Sequence, residues 1–426
     1  MRFLISKFGA LMLALMTSCV VVPVQEVVVL PGKVASPSYL SQLKAAEEAV
    51  AALEGAASST VDVTGKQTAV RKLSLALDVL AVVRSQTGDI VGATSALSTL
   101  KALRGAQRVA EYSQLLDGTI PMNAINAIVA EARERQIVIL NEAHHDPVHR
   151  AFATRLATEL RKFGFEYLAC ETFGPDVAHL NSESIERRMG YYTADPVFSE
   201  FVRQAKRIGY ALVPYEHIAS DAKLSQQEKW AAREDGQAQK IIAATLAKNP
   251  NAKIFVYVGF GHVKKADSNP TATEQMAARL WKRTGINPLT IDQTTMTAQP
   301  AAHPQFEIYE KVLRKHEPLV PIVLRAAQGG YAVFGSYYSG SVDMQVIFPN
   351  YATQFGRPTW FVSLANRTPF ETPRTMLPTR GRRLIQAFHK MDGAVNVPAD
   401  MVMAEAGKEP PMLMLPKGDF RFAYED

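Results

Sequence analysis

Apolar and polar positions follow different periods along this chain. From Tyr39 to Leu116 the period is helical: Leu43, Ala46, Val50 and Leu53 make one stripe, and Val70, Leu73, Leu77, Val79, Leu80 and Val83 make another. Gly88-Asp89 interrupts the pattern and introduces a third helix through Leu97 and Leu100. A single Gly-Asp turn is thin support for a helical repeat, so residues 39–119 are expected to form a helical cap or dimerisation element.

From Ile120 the pattern changes. Residues 124–134 carry Ile125, Ile128 and Val129 on one side of a helix. Residues 137–140, Ile-Val-Ile-Leu, form a continuous apolar run, too short for a helix and β-branched at three of its four positions. Such a run reads as a strand buried on both faces. Asp146 as N-cap and Pro147 at the first helical position then start a helix, in which Phe152, Leu156 and Leu160 recur before Gly164 stops it. Short strands over 166–170, 211–215 and 253–258 alternate with helices over about 147–163, 196–208 and 226–248, and 289–292 is a fifth strand. Strand–helix alternation with buried strands predicts an α/β fold over 120–298, a mostly parallel sheet with helices on both faces. A helix over 306–315 and strands over 319–324, 331–334, 342–348 and 360–364 predict a smaller α+β region, residues 299–426, which either stands as an accessory domain or completes the sheet.

The front of the chain has a different character. Arg2 and Lys7 flank the start of an apolar run, Phe8 to Met16, too short to span a bilayer, and Met16-Thr-Ser-Cys19 closes it. Residues 1–18 therefore read as a bacterial lipoprotein signal, with Cys19 as the lipidation site and 19–38, rich in Pro and Val, as a tether. That places the protein in the bacterial cell envelope, anchored to a membrane by lipid, on the outer membrane facing the periplasm or the surface. The other cysteine, Cys170, lies inside an apolar strand and reads as a core residue, so no intrachain disulfide is expected. The net charge of +6 is mild and its basic residues are dispersed, apart from Arg380-Gly-Arg-Arg383, a solvated loop. This excludes nucleic acid as the expected partner.

Each of the four central strands meets a Glu or a His just past its carboxyl end: Glu142 and His144 with His145 beside them, then Glu171, Glu216 and His262. In a parallel sheet those ends share one rim, so the residues are expected to converge on one crevice. An imidazole next to carboxylates can take a proton from water, and a second imidazole opposite can protonate a leaving group or stabilise an oxyanion. The same groups could instead ligate a first-row metal that generates hydroxide. The residues alone leave both chemistries open. Glu142-Ala-His144 is not the i,i+4 histidine pair of the helical zinc motif. Gly259-Phe-Gly-His262 lacks the spacing of a phosphate loop, and its glycines read as the tight turn that aims His262. Ser336 and Ser339 lack an elbow motif.

Together these residues resemble a superfamily that holds the ChaN-like haem-binding lipoproteins, the Tiki proteases and the erythromycin esterases. Its opening Gly-Glu-x-His or Gly-Glu-x-x-His reads here Asn141-Glu142-Ala143-His144-His145, with Asn in place of the glycine. Pro147 matches the ChaN-like pattern and favours His144, whereas the esterase spacing selects His145. Ala169-Cys-Glu171 is similar to the second-strand Glu, and Val258-Gly-Phe-Gly-His262-Val to the closing Gly-x-x-His segment. Arg233-Glu-Asp resembles the arginine early in a helix, with Gln237-Ala238 where Met-Ala is usual. The resemblance covers about residues 120–295. It implies an α/β fold centred on Glu142, His144, Glu171 and His262, with His145 and Glu216 as further candidates and Arg233 binding an anionic group. It does not imply one activity. Esterase relatives hydrolyse a lactone with the histidine as base, Tiki relatives are metal-dependent peptidases, and ChaN-like relatives hold haem largely through surface tyrosine in a dimer. Tyr191-Tyr192 or Tyr337-Tyr338 would supply such a ligand here.

The expectation is a lipid-anchored hydrolase of a small-molecule substrate, in which His144, assisted by Glu142 and Glu171, activates water with His262 opposite. Candidate cofactors are haem or a divalent metal, the metal held by Glu142, His144, Glu171 and His262. The alternatives are a homodimeric lipoprotein that binds haem or an iron carrier, and a structural lipoprotein with a relic site.

Overall fold

The computed structural model describes residues 38–59, 63–104, 113–175, 184–219, 221–266, 274–298, 306–393 and 395–426. The signal segment, Cys19 and the tether up to residue 37 lie outside the described residues. Three long helices come first, α1 (Tyr39–Ser59), α2 (Val63–Gln86) and α3 (Ile90–Arg104). Leu43, Val50, Leu73, Leu77 and Leu80 form the seam between them, as the stripes predict. Val79 departs from its expected face and is 47% exposed. The Gly88-Asp89 turn combines a helix stop and a cap: Gly88 takes φ +81°, and Asp89 Oδ1 accepts from Gly92 N at 2.8 Å.

The central element is an eight-stranded sheet. Its strands are β1 (Ile120–Asn123), β2 (Ile137–Glu142), β3 (Phe165–Cys170), β4 (Ala211–Pro214), β5 (Lys253–Gly259), β6 (Leu289–Met296), β7 (Ile322–Arg325) and β8 (Met344–Ile347). They lie in the order β1-β7-β8-β6-β2-β5-β3-β4. From β8 to β4 the neighbours are parallel, and β7 and β1 add antiparallel pairings at one edge. Side chains of β2 alternate between two apolar layers. Val138 and Leu140 join α4 (Ala124–Ala132), α5 (Val148–Arg161) and α6 (Pro196–Arg207) on one face. Ile137 and Ile139 join α7 (Gln226–Ala244) and α8 (Met276–Thr284) on the other. α9 (Phe306–His316) packs Ile308, Tyr309 and Val312 against β7 and β8.

Several boundaries differ from the expected ones. β2 runs on through Asn141 and Glu142, so these polar residues are themselves strand residues, buried by neighbours on both sides. Helix α5 is counted from Val148, and Pro147 already has helical geometry (φ −71°, ψ −8°), while Asp146 Oδ1 reaches Val148 N only at 3.4 Å. Of the two readings of the tail, its first part completes the sheet: β7 and β8 come from beyond residue 298. Over 331–334 there is a bridge from Tyr331 to Arg325 rather than a strand. The strand expected over 360–364 is a short helix, Trp360–Ser363. Trp360 and Phe361 are adjacent, both buried and stacked at 3.9 Å, an arrangement that the two-sided alternation of a strand does not allow. The remaining tail forms small antiparallel sheets, the largest pairing Asp400–Glu405 and Phe420–Glu425 with Arg382–His389. It sits against the front of the chain, with Leu384 and Met401 packed on Tyr39 and Leu40.

Candidate functional site

β2 delivers Glu142 to the carboxyl rim of the sheet, where its side chain is 2% exposed. A buried carboxylate needs partners, and the first turn of α5 supplies one. Arg150, 1% exposed, donates from Nε to Glu142 Oε2 at 2.9 Å and from Nη2 to Oε1 at 3.0 Å. Its Nη1 reaches Asp195 Oδ2 at 3.2 Å, and its Nη2 also donates to the His144 carbonyl at 2.8 Å. His144 Nδ1 lies 2.8 Å from Glu142 Oε1. Burial pushes the Glu142 pKa up, but Arg150 and the hydrogen bond from His144 outweigh it and hold the carboxyl well below its usual range. The imidazole of His144 stacks on Tyr192 at 3.8 Å and meets the edge of Phe260 at 5.2 Å. Its Nε2 has no hydrogen-bond partner among the described residues.

A second cluster gathers round Arg233 on α7. Its Nε and Nη2 donate to both oxygens of Glu216 at 3.0 and 2.6 Å, Nη2 also donates to Glu171 Oε1 at 2.6 Å, and Nη1 lies 3.1 Å from His262 Nε2. Glu171 Oε2 accepts from Gly259 N at 2.6 Å. His262 turns Nδ1 to Glu234 Oε2 at 2.9 Å, and that oxygen also accepts from Met276 N at 2.7 Å. Burial pushes the Glu171 pKa up, yet His262, His144 and Arg233 together bring the carboxyl down to about 2. Burial pulls the His262 pKa down and Arg233 acts the same way, but Glu171 and Glu234 outweigh both and raise it. The contact with Arg233 Nη1 suits a neutral ring, and Glu171 Oε1, 3.5 Å from the same nitrogen, suits a protonated one.

The two clusters meet at Gly259. A Cβ there would lie 2.6 Å from His144 Nε2 and 2.9 Å from Glu171 Oε2, so both groups press on the same backbone. Glu142, His144, Glu171, Glu216, Arg233 and His262 thus stand together at one rim of the sheet. His145 is half-buried in the turn beside it, and the bond to Glu142 is made by His144. The role given to the glycines of Gly259-Phe-Gly-His262 changes. The residue with positive φ is Phe260 (33°), and the glycines are needed for space, since a Cβ on Gly261 would lie 2.5 Å from the Tyr337 hydroxyl. Four participants carried no signal at a strand end: Arg150, Asp195, Tyr192 and Glu234. Arg150 and Glu234 lie within helices and Asp195 at a helix start, where charge is ordinary and the facing direction depends on packing.

The donor set does not suit a divalent metal as it is arranged. Both oxygens of Glu142, Glu171 and Glu216 and both nitrogens of His262 already have partners, and a guanidinium occupies the centre of the acidic cluster. Among the described residues no group of three or more His, Cys, Asp or Glu is placed to hold a metal ion. Of the tyrosines, Tyr192 is taken up by His144 and the Tyr338 hydroxyl accepts from Asn141 at 3.0 Å, whereas Tyr191 and Tyr337 are 54% and 52% exposed. Cys170 is buried, and burial and the charge of Glu142 push its thiol pKa up, which keeps it inert. No described helix is long and apolar enough to cross a membrane.

No family model and no curated protein matches this chain. Among solved structures, that of the type III effector HopBA1 is similar over 41% of this chain and 85% of its own, at 17% sequence identity and a TM-score of 0.30. A score of that size carries no argument about fold or function.

Proposed function

We propose that this protein is a hydrolase of a small acyl substrate, such as an ester or lactone, and that His144 is its general base. The observation that carries this reading is the asymmetry of the His144 ring: Nδ1 is held by a carboxylate that Arg150 keeps ionised, and Nε2 is left for the crevice. Nε2 takes one proton of water as the water oxygen attacks the acyl carbon. Glu142 stabilises the imidazolium, and the leaving oxygen receives that proton when the acyl bond breaks. Arg233 engages Glu171, Glu216 and His262 through Nε, Nη2 and one N–H of Nη1. In this reading the second N–H of Nη1 polarises the acyl carbonyl. His262, with both nitrogens engaged, acts through Arg233. This is the chemistry that the resemblance to the esterases implies, and it routes no step through a metal.

The test is turnover of a panel of esters and lactones by the purified protein. Replacing Glu142 or His144 by Gln should lower kcat by about 10²–10⁴-fold with the fold retained, and His145→Gln should leave it unchanged. Wild-type turnover in His144→Gln would end the mechanism. The signal segment and Cys19 support a lipid anchor at the cell envelope. Cys19→Ala should therefore move the protein from the membrane to the soluble fraction. A haem-binding or iron-carrier role has less support, because the Tyr192 ring is stacked on His144 and the Tyr338 hydroxyl is bonded to Asn141. A saturable Soret band that disappears in Tyr191→Phe or Tyr337→Phe would reverse that order.

A further inference from the structure

The helices at the front of the chain reach the crevice through one short segment, residues 190–195. Tyr39 at the start of α1 is buried, lies under the Arg187 guanidinium at 3.9 Å, and donates from its hydroxyl to the Ala194 carbonyl at 2.8 Å. At the end of α2, Ser85 and Gln86 are each 2% exposed. Ser85 Oγ donates to Asp195 Oδ2 at 3.3 Å and Gln86 Nε2 to the Tyr191 carbonyl at 3.3 Å. From the other side, Tyr192 N donates to Thr172 Oγ1 at 2.8 Å, just past β3. A Cβ on Gly190 would lie 1.9 Å from the Thr172 carbonyl, so the segment is wedged against the sheet rim.

That segment carries two groups that bear on His144. Tyr192 forms one wall of its imidazole. Asp195 caps α6 through Val197 N and Phe198 N, at 2.8 and 2.9 Å, and with its other oxygen holds Arg150, which holds Glu142, which holds His144. A side chain fixes a geometry only when its own neighbours fix it. Here the outermost of those neighbours belong to a part of the chain with no strand-end acid or imidazole of its own.

We propose that the front helices belong to the functional site: Tyr39, Ser85 and Gln86 are positioning residues that seat residues 190–195, and through Tyr192 and Asp195 set the ring of His144. The proposal rests on the hydrolase reading only in treating His144 as the reacting group.

The test uses the full mature chain with labelled histidines and follows the His144 ring signals by NMR, assigned by their loss in His144→Gln. Tyr192→Leu gives the position of the ring without its aromatic wall. The variant combining Tyr39→Phe, Ser85→Ala and Gln86→Ala should move the His144 signals at least halfway to that position. The His262 signals should stay in place and the circular dichroism should be unchanged. Where turnover is measurable, kcat should fall about tenfold or more with little change in KM. His144 signals unmoved in a folded triple variant overturn the proposal. Should the triple variant not fold, Tyr39→Phe and Gln86→Ala alone decide: each must shift the signals in the Tyr192→Leu direction, and two stationary rings overturn it. The readout is a ring position, so a moved ring in a protein that hydrolyses nothing keeps this proposal and removes the hydrolase reading.

Discussion

At the scale of single residues, the crevice depends on groups that cannot be enlarged or neutralised. Gly259 is the sharper case. Alanine there would put a carbon 2.5 Å from His144 Cε1 and 2.9 Å from Glu171 Oε2, both held by other bonds. Gly259→Ala should displace His144, lower kcat about tenfold or more, and destabilise the protein by about 1–3 kcal/mol, read by turnover and by urea unfolding. Arg150→Met should cost more, about 3–5 kcal/mol, because it strands the Glu142 charge in a site 2% exposed. A loss below ~1 kcal/mol in urea would mean that Glu142 is neutral rather than ionised. Glu142, His144, Glu171 and His262 could be picked from the sequence because polar residues directly follow apolar strand runs. Arg150 and Asp195 could not, since each sits at a helix start, where charge is ordinary and the facing direction depends on packing. The choice between His144 and His145 was equally closed to spacing arguments. The ring that the turn after β2 brings back onto Glu142 is that of His144.

At the scale of elements, β2, β6 and the single turn Phe260–Val263 are locked together by one buried amide. Asn141 donates to the Phe260 carbonyl at 3.1 Å, to Asp292 Oδ1 at 2.9 Å and to the Tyr338 hydroxyl at 3.0 Å, and accepts from Gln293 N at 2.8 Å. Asp292 is fully buried, and its charge is met by donors such as Thr294 N and Gln345 Nε2 rather than by a cation. Asn141 is therefore what ties the His262 turn to the sheet. Asn141→Gly should lower stability by about 2–4 kcal/mol and loosen Phe260 against His144; an unchanged urea midpoint would discard this role. The strands on either side were legible, because 137–140 and 254–258 are continuous apolar runs, the pattern of strands buried on both faces. Residues 360–364 have the same apolar character but form a helical turn, since Arg155 takes up the Ser363 and Leu364 carbonyls at 3.0 and 2.6 Å, a contact distant in sequence.

At the scale of the whole molecule, the mild net charge of +6 conceals a crevice of opposite sign. Arg150 and Arg233 face Glu142, Glu171, Asp195 and Glu216, and Glu234 faces His262, so the carboxylates outnumber the guanidiniums. The reach of the sheet was equally hidden. β7 and β8 return to it from the far side of residue 298, and the strand patterns over 319–324 and 342–348 carry no mark of which sheet they join. The charge asymmetry sets how stability depends on pH. Glu171 is held at about 2 against 4.5 in the unfolded chain, so its stabilisation is complete above 4.5 and is lost as pH falls towards 2. Glu142 acts in the same direction. His262 has the opposite sign: its pKa is raised above 6.5, so its stabilisation is complete below 6.5 and is lost as pH rises through the folded-state value. Stability should therefore peak between pH 4.5 and 6.5. Urea midpoints measured across this range should fall on both sides, the acid limb by about 3 kcal/mol from Glu171 alone. Glu171→Gln should flatten the acid limb and leave the alkaline one, and His262→Gln should do the reverse. An alkaline limb that survives His262→Gln would show that the ring is already neutral below pH 6.5, its Nε2 held by Arg233 rather than facing Glu171 as an imidazolium.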